Sequence, residues 1–150
     1  MSKDRIAALD TNVLLLKLVA DTDVSLLRSF KRVDRFTERH IRALAETLSP
    51  FGSLVTTPHV LSETSNFIDQ SPPYRRGALV ESLQEFIEGN EEWYETARAL
   101  SAQTQFTSLG LTDTGLLAVS TRATIVTVDW RLAGQIEAAG GGVINFNPLL

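Results

Sequence analysis

The sequence has no cysteine, and its two histidines, His40 and His59, stand far apart. Those absences exclude disulfides, thiolate chemistry and cysteine-ligated zinc or iron–sulfur centres, and the histidine spacing fits no zinc site. Any bound metal must be held chiefly by oxygen. Long apolar runs are missing too. Nothing approaches the roughly 20 apolar residues needed to cross a bilayer, and the most apolar early stretch, Val13 to Val19, is interrupted by Lys17. Acidic Asp4 and Asp10 stand where a secretory signal would carry basic residues. A cytoplasmic protein with no membrane partner is expected.

An excess of positive charge is also lacking: the formal net charge is −4. Nucleic-acid binding normally shows as a basic surface, so this balance argues against tight nonspecific binding of a polyanion. It leaves weaker, site-directed contact with one open. If four carboxylates gather around a divalent cation, 14 acids remain against 14 bases and the rest of the surface is balanced.

What is present is ordinary for one globular domain over 1–150, with 43% hydrophobic and 21% charged residues. Short branched runs at Ile6–Leu9, Leu54–Thr56, Ile125–Val128 and Val143–Phe146 predict buried strands. Val60, Leu61, Thr64, Phe67 and Ile68 recur at helical spacing, with Pro58 suited to the first turn. Ile41, Leu44, Ala45 and Leu48 predict another amphipathic helix, and Leu79, Leu83, Phe86 and Ile87 a third. The breaks at Ser49-Pro50-Phe51-Gly52, Ser71-Pro72-Pro73 and Gly140-Gly141-Gly142 read as loops within the domain. Alternating strands and helices imply an α/β fold with a short central parallel sheet flanked by helices.

In such sheets the functional crevice lies beyond the carboxyl ends of the strands. Asp10 follows the first predicted strand and Asp129 the third, so both are expected at one sheet edge. Asp113 opens a predicted helix, Thr114 to Ser120, with Thr112 as its N-cap. Glu63 flanks the apolar stripe of the helix after the second strand. Each acid alone has an ordinary reading as a turn, cap or solvated residue. Their convergence does not: two carboxylates 4 Å apart repel by about 4 kcal/mol at an effective dielectric near 20, which calls for a proton or a cation. Oxygen ligands suit Mg²⁺ or Mn²⁺.

Leu9-Asp10-Thr11-Asn12-Val13-Leu14 resembles the first motif of PIN-domain ribonucleases, and Thr57-Pro58-His59-Val60-Leu61-Ser62-Glu63 resembles their glutamate-bearing helix. Leu111-Thr112-Asp113-Thr114-Gly115-Leu116-Leu117-Ala118 is similar to the third acidic motif, and Val126-Thr127-Val128-Asp129-Trp130-Arg131-Leu132 to the fourth. The order agrees along essentially the whole chain. The segment from about Asp21 to Phe51 is longer and more helical than compact members require, a helical insertion after the first helix.

The resemblance implies a metal-dependent endoribonuclease acting on single-stranded or structured RNA. Asp10, Glu63, Asp113 and Asp129 would be its catalytic and metal-holding residues. Asp10 and Asp113 would bind directly; Glu63 and Asp129 would bind directly, through water, or to a second ion. Thr11, Asn12 and Thr127 would orient a carboxylate or a phosphate oxygen, or else serve local caps. Arg131, with Arg75, Arg76 and Arg122, is a candidate for holding the strand, and Trp93, Tyr94 and Trp130 for stacking, with packing favoured for Trp93. His59 is either a general base or a helix-start residue. The resemblance also implies a homodimer and a protein partner such as an antitoxin. Two rivals are a noncatalytic interaction module of the same fold and an aspartate-phosphorylated domain using Asp10.

Overall fold

The computed structural model of the protein describes residues 5–146. Five strands run β1 Ile6–Leu9, β2 Ser53–Thr56, β3 Glu91–Glu92, β4 Thr124–Thr127 and β5 Gly142–Asn145, all parallel, in the order β3-β2-β1-β4-β5. Eight α-helices are described: α1 Thr11–Thr22, α2 Leu26–Ser29, α3 Glu38–Leu48, α4 Pro58–Ile68, α5 Pro73–Gly89, α6 Ala97–Ser101, α7 Phe106–Val119 and α8 Trp130–Ala138. A 3₁₀ turn, Lys31–Val33, joins α2 to α3. The α/β class, the parallel sheet and the helical insertion after the first helix all stand. No helix among the described residues is long and apolar enough to cross a membrane.

The chain steps outward from β1 to β2 and β3, then crosses back to place β4 on the other side of β1. Crossovers therefore diverge between β1 and β4. That reversal opens a crevice at the carboxyl ends of these two strands. Ala7 and Ala8 on β1 are fully buried, and their small side chains let helices approach the central strand closely.

Helix α1 is apolar nearly all round, with Val13, Leu14, Leu15, Leu16, Leu18 and Val19 buried. A helix of that composition must be covered on every side. It packs on α3, α4, α5 and the 3₁₀ turn. The insertion, Leu26–Leu48, supplies Leu26, Leu27, Phe30, Val33, Phe36 and Leu44 to the common core, so it is a lid of packing over α1. Fully burying each such side chain contributes about 1.5–3 kcal/mol.

Three strands differ from the sequence expectation, β2 by one residue at its start and β4 and β5 by one residue at both ends, and β3 was not foreseen. The end of β4 has a local cause: the Val128 N–H donates to the Asp10 carboxylate, leaving the strand ladder after Thr127.

Candidate functional site

Asp10 leaves β1 and caps α1, accepting from the Val13 N–H at 3.0 Å. Its other oxygen accepts from the Val128 N–H at 3.2 Å and from the Thr127 hydroxyl in a short hydrogen bond. The carboxyl is buried, 6% exposed. Burial pushes its pKa up against the pull of those three donors, and the charge of Asp129 adds to the rise.

Asp129 caps α8 in the same manner, accepting from the N–H groups of Arg131 at 2.8 Å and Leu132 at 3.2 Å. Its own N–H donates to the Thr127 hydroxyl oxygen at 3.0 Å. Thr127 thus stands between the two aspartates, donating to one side chain and accepting from the backbone of the other. Two helix N-termini meet the sheet edge here, and each favours a carboxylate.

Glu63 projects from α4, which Thr57 caps by accepting from the Val60 N–H. The Thr11 hydroxyl donates to Glu63 Oε1 at 2.8 Å and the Thr112 hydroxyl to Oε2 at 2.7 Å. Thr11 and Thr112 thus hold the two Glu63 oxygens between them. Thr112 does not cap a helix beginning at residue 114, and that expectation is corrected. The helix restarts earlier, immediately after Gly110, whose φ of 82° and ψ of 178° interrupt α7. Only glycine occupies that backbone region without strain. Asp113 then falls in the first turn of the restarted segment, and Thr112 is free to reach Glu63.

The pKa of Asp113 is raised from 3.8 to about 7. Burial is the largest cause, followed by the charges of Asp129, Asp10 and Glu63, and by a hydrogen bond with the Asp129 carboxylate that favours the protonated form. These acids come from four separate elements, yet they feel one another. All four line a single open cavity of about 460 Å³ together with Thr11, Asn12 and Arg32. Among the described residues, no group of three or more Asp, Glu, His or Cys side chains is placed so that it could hold a metal ion. The arrangement is a shared carboxylate rim. No protein-family model matches the chain, and no curated protein matches it significantly.

Several other candidates lie apart from the cavity. Arg131 has an exposed side chain and gives only its backbone N–H to Asp129. Arg75 pairs with Asp23 at 2.7 Å, Arg76 with Asp69 at 2.6 Å, and Arg122 lies 4.1 Å from the centre of the Trp93 ring. Trp93 is partly buried against the core, while Tyr94 and Trp130 are exposed. His59 does not line the cavity; its Nδ1 lies against α7 near Gly115, buried and without a hydrogen bond among the described residues. A larger cavity of about 760 Å³ lies over the insertion, between residues such as Val24, Leu27 and Phe36, away from the four acids.

Sequence reasoning missed Arg32. Its guanidinium lies 3.7 Å from the centre of the Phe67 ring, and its Nε donates to Gln70 Oε1 at 2.9 Å, so the insertion delivers a fixed cation to the acidic rim. The signal available in the sequence was the density of bases between Arg28 and Arg42.

Proposed function

We propose that the protein is a metal-dependent endoribonuclease of the PIN kind, acting in the cytoplasm on RNA phosphodiesters. The observation that carries this reading is the single cavity lined by Asp10, Glu63, Asp113 and Asp129 from four separate elements, whose mutual repulsion together with burial raises the pKa of Asp113. Carboxylates crowded in this way favour a proton among them, and a divalent cation can take the proton's place.

The donor set fits Mg²⁺ or Mn²⁺. It is all oxygen and lines an open cavity, and Mg²⁺ commonly binds through one or two carboxylates while retaining waters, so it does not require a preformed group of three acids, which the described residues lack. Asp113 and Asp129, which line the cavity together, would hold the ion with Asp10. When bound, it would polarise the scissile phosphate and lower the pKa of a water. Glu63, kept in place by Thr11 and Thr112, accepts the proton of the attacking water. Arg32 at the cavity wall offsets phosphate charge. Thr127 holds Asp10 and the Asp129 backbone in register, and Asn12 faces the entering strand.

Asp10 already accepts three hydrogen bonds in a buried position, which weighs against its use as a phosphorylated nucleophile. The test compares wild type, Asp10→Asn and Asp113→Asn on a single-stranded RNA with Mn²⁺, Mg²⁺ or chelator. Cleavage by wild type alone, and only with metal, is expected. Equal cleavage by all three proteins overturns the assignment, and absence of both cleavage and metal binding in the wild type favours a noncatalytic interaction module.

A further inference from the structure

Charge is unevenly distributed along this chain. The insertion, Leu26–Leu48, holds six of the 14 bases and three of the 18 acids, a local excess of three positive charges, which leaves the remainder at −7 to give the overall −4. Three of those bases, Lys31, Arg32 and Arg35, line an open cleft of about 440 Å³ with Asn12 and Gln70. Asn12 and Arg32 line the acidic cavity as well, so the basic cleft adjoins it directly.

None of these three cations enters an ion pair among the described residues, whereas Lys17, Arg75 and Arg76 do. Arg32 spends its Nε on Gln70 and its face on Phe67, which leaves the two terminal nitrogens of a fixed guanidinium for another acceptor. Arg35 lies 5.2 Å from the Phe36 ring centre. Asp34, the acid within this stretch, faces the separate cavity over the insertion.

Distance decides which bases can help an anionic substrate approach four carboxylates. Exposed charges are screened beyond about 8 Å at physiological ionic strength. A cation must therefore border the acidic cavity to offset its repulsion, and the insertion places Arg32 there, with Lys31 and Arg35 in the adjoining cleft.

We propose that the cleft formed by Asn12, Lys31, Arg32, Arg35 and Gln70 is a phosphate-binding track that seats the backbone of single-stranded RNA on the way into the acidic cavity. The choice of RNA rests on the nuclease reading above; the track itself rests on the adjoining cavities and the unpaired cations. Arg32 takes the phosphate at the junction, and Lys31 and Arg35 take those beyond it.

The experiment is fluorescence anisotropy with a labelled 12-nucleotide single-stranded RNA in chelator, across a salt series, where no metal-dependent cleavage occurs. Lys31→Ala/Arg35→Ala is expected to weaken binding about tenfold or more at low salt. It should also reduce the slope of log affinity against log salt by about 1.4, the value for two lost phosphate contacts on a single strand. The charge-keeping Lys31→Arg/Arg35→Lys variant should restore both, and Arg75→Ala/Arg122→Ala, neither of which lines the cleft, should change affinity less than about twofold. An unchanged slope in the alanine variant, with its melting temperature intact, overturns the track even if metal-dependent cleavage is found. Absence of RNA binding by the wild type at low salt overturns it too. Tighter binding of a labelled polyglutamate peptide than of RNA, lost in the same alanine variant, overturns it in favour of an acidic protein partner. If the wild type cleaves no RNA yet shows the expected binding and slope, the nuclease reading fails while the track stands.

Discussion

The acidic rim and the insertion stand side by side and hold their charges in opposite ways. At the rim, Asp10 is fixed by two backbone N–H groups and a hydroxyl, Asp129 by two backbone N–H groups, and Glu63 by two threonine hydroxyls. In the insertion, Arg32 is set by one amide and one ring, Arg35 leans on a ring, and Lys31 has neither support. The difference follows from what each charge must withstand. Carboxylates crowded into a partly buried cavity repel one another strongly, and a loosely held one would swing out to water. Cations on an exposed turn meet no such opposition. Rigidity is concentrated where charges of one sign are forced together, and reach is left to the side that has only to meet its ligand.

The sharpest way to break this contrast is Asp113→Asn. Cleavage of RNA in single-turnover assays should fall by about 10²–10⁴-fold, while the metal-free protein becomes more heat-stable because a repelled carboxylate has gone. Loss of both activity and stability would show that the rim is not the strained half.

The pH dependence of the metal-free protein follows from the same residue. The folded pKa of Asp113 is about 7 against 3.8, so between these values the native state keeps a proton that the unfolded chain releases. Stability should therefore fall as pH rises from about 4 to 7 and level off above it. Denaturant unfolding in chelator, wild type minus Asp113→Asn, isolates this contribution, with an upper limit of about 4 kcal/mol. Added Mg²⁺ should flatten the slope, and a slope unchanged by the cation would separate the proton site from the metal site.

A smaller effect is expected at the turn that aims Asp113. Gly110→Ala must place a Cβ in a conformation reserved for glycine and should cost about 1–3 kcal/mol, although no neighbouring atom lies within 4 Å of that added carbon. Thermal unfolding measures the cost; no loss would mean that the interruption of α7 is not held by this residue. The smallest effect belongs to Thr112→Val. Removing one of two hydroxyl donors to Glu63 should cost about 0.5–1.5 kcal/mol in transition-state stabilisation, read as a reduced kcat with little change in KM. An equal loss in KM alone would make Thr112 part of the reach, not of the rigid side.

Much of the frame was legible because it is written in local periodicity. β1 falls at Ile6–Leu9 as expected, and the helix bearing Glu63 begins at Pro58. β3 was not legible: two exposed glutamates carry no apolar signal, and only pairing with Val55 and Thr56 makes them a strand. At the site, the four acids could be placed near one edge since three stand at element boundaries. Thr112 was misassigned because the positive φ of Gly110 moves the helix start, and a glycine in an apolar run does not announce that angle. Arg32 escaped notice because its support comes from Phe67 at the end of α4 and Gln70 in the turn just beyond it, both distant in sequence. Contacts of that kind exist only once α1 has gathered α4 and the insertion around itself.

The short outer strand has one more effect. β3 offers a newcomer two residues of unpaired backbone, both glutamates exposed to water. A stray extended segment arriving there finds few partners for its amide groups and two like charges when it is itself acidic. That flank of the sheet is thereby guarded against being extended into a fibre-like ladder, and the guard is made from the very residues that hid the strand.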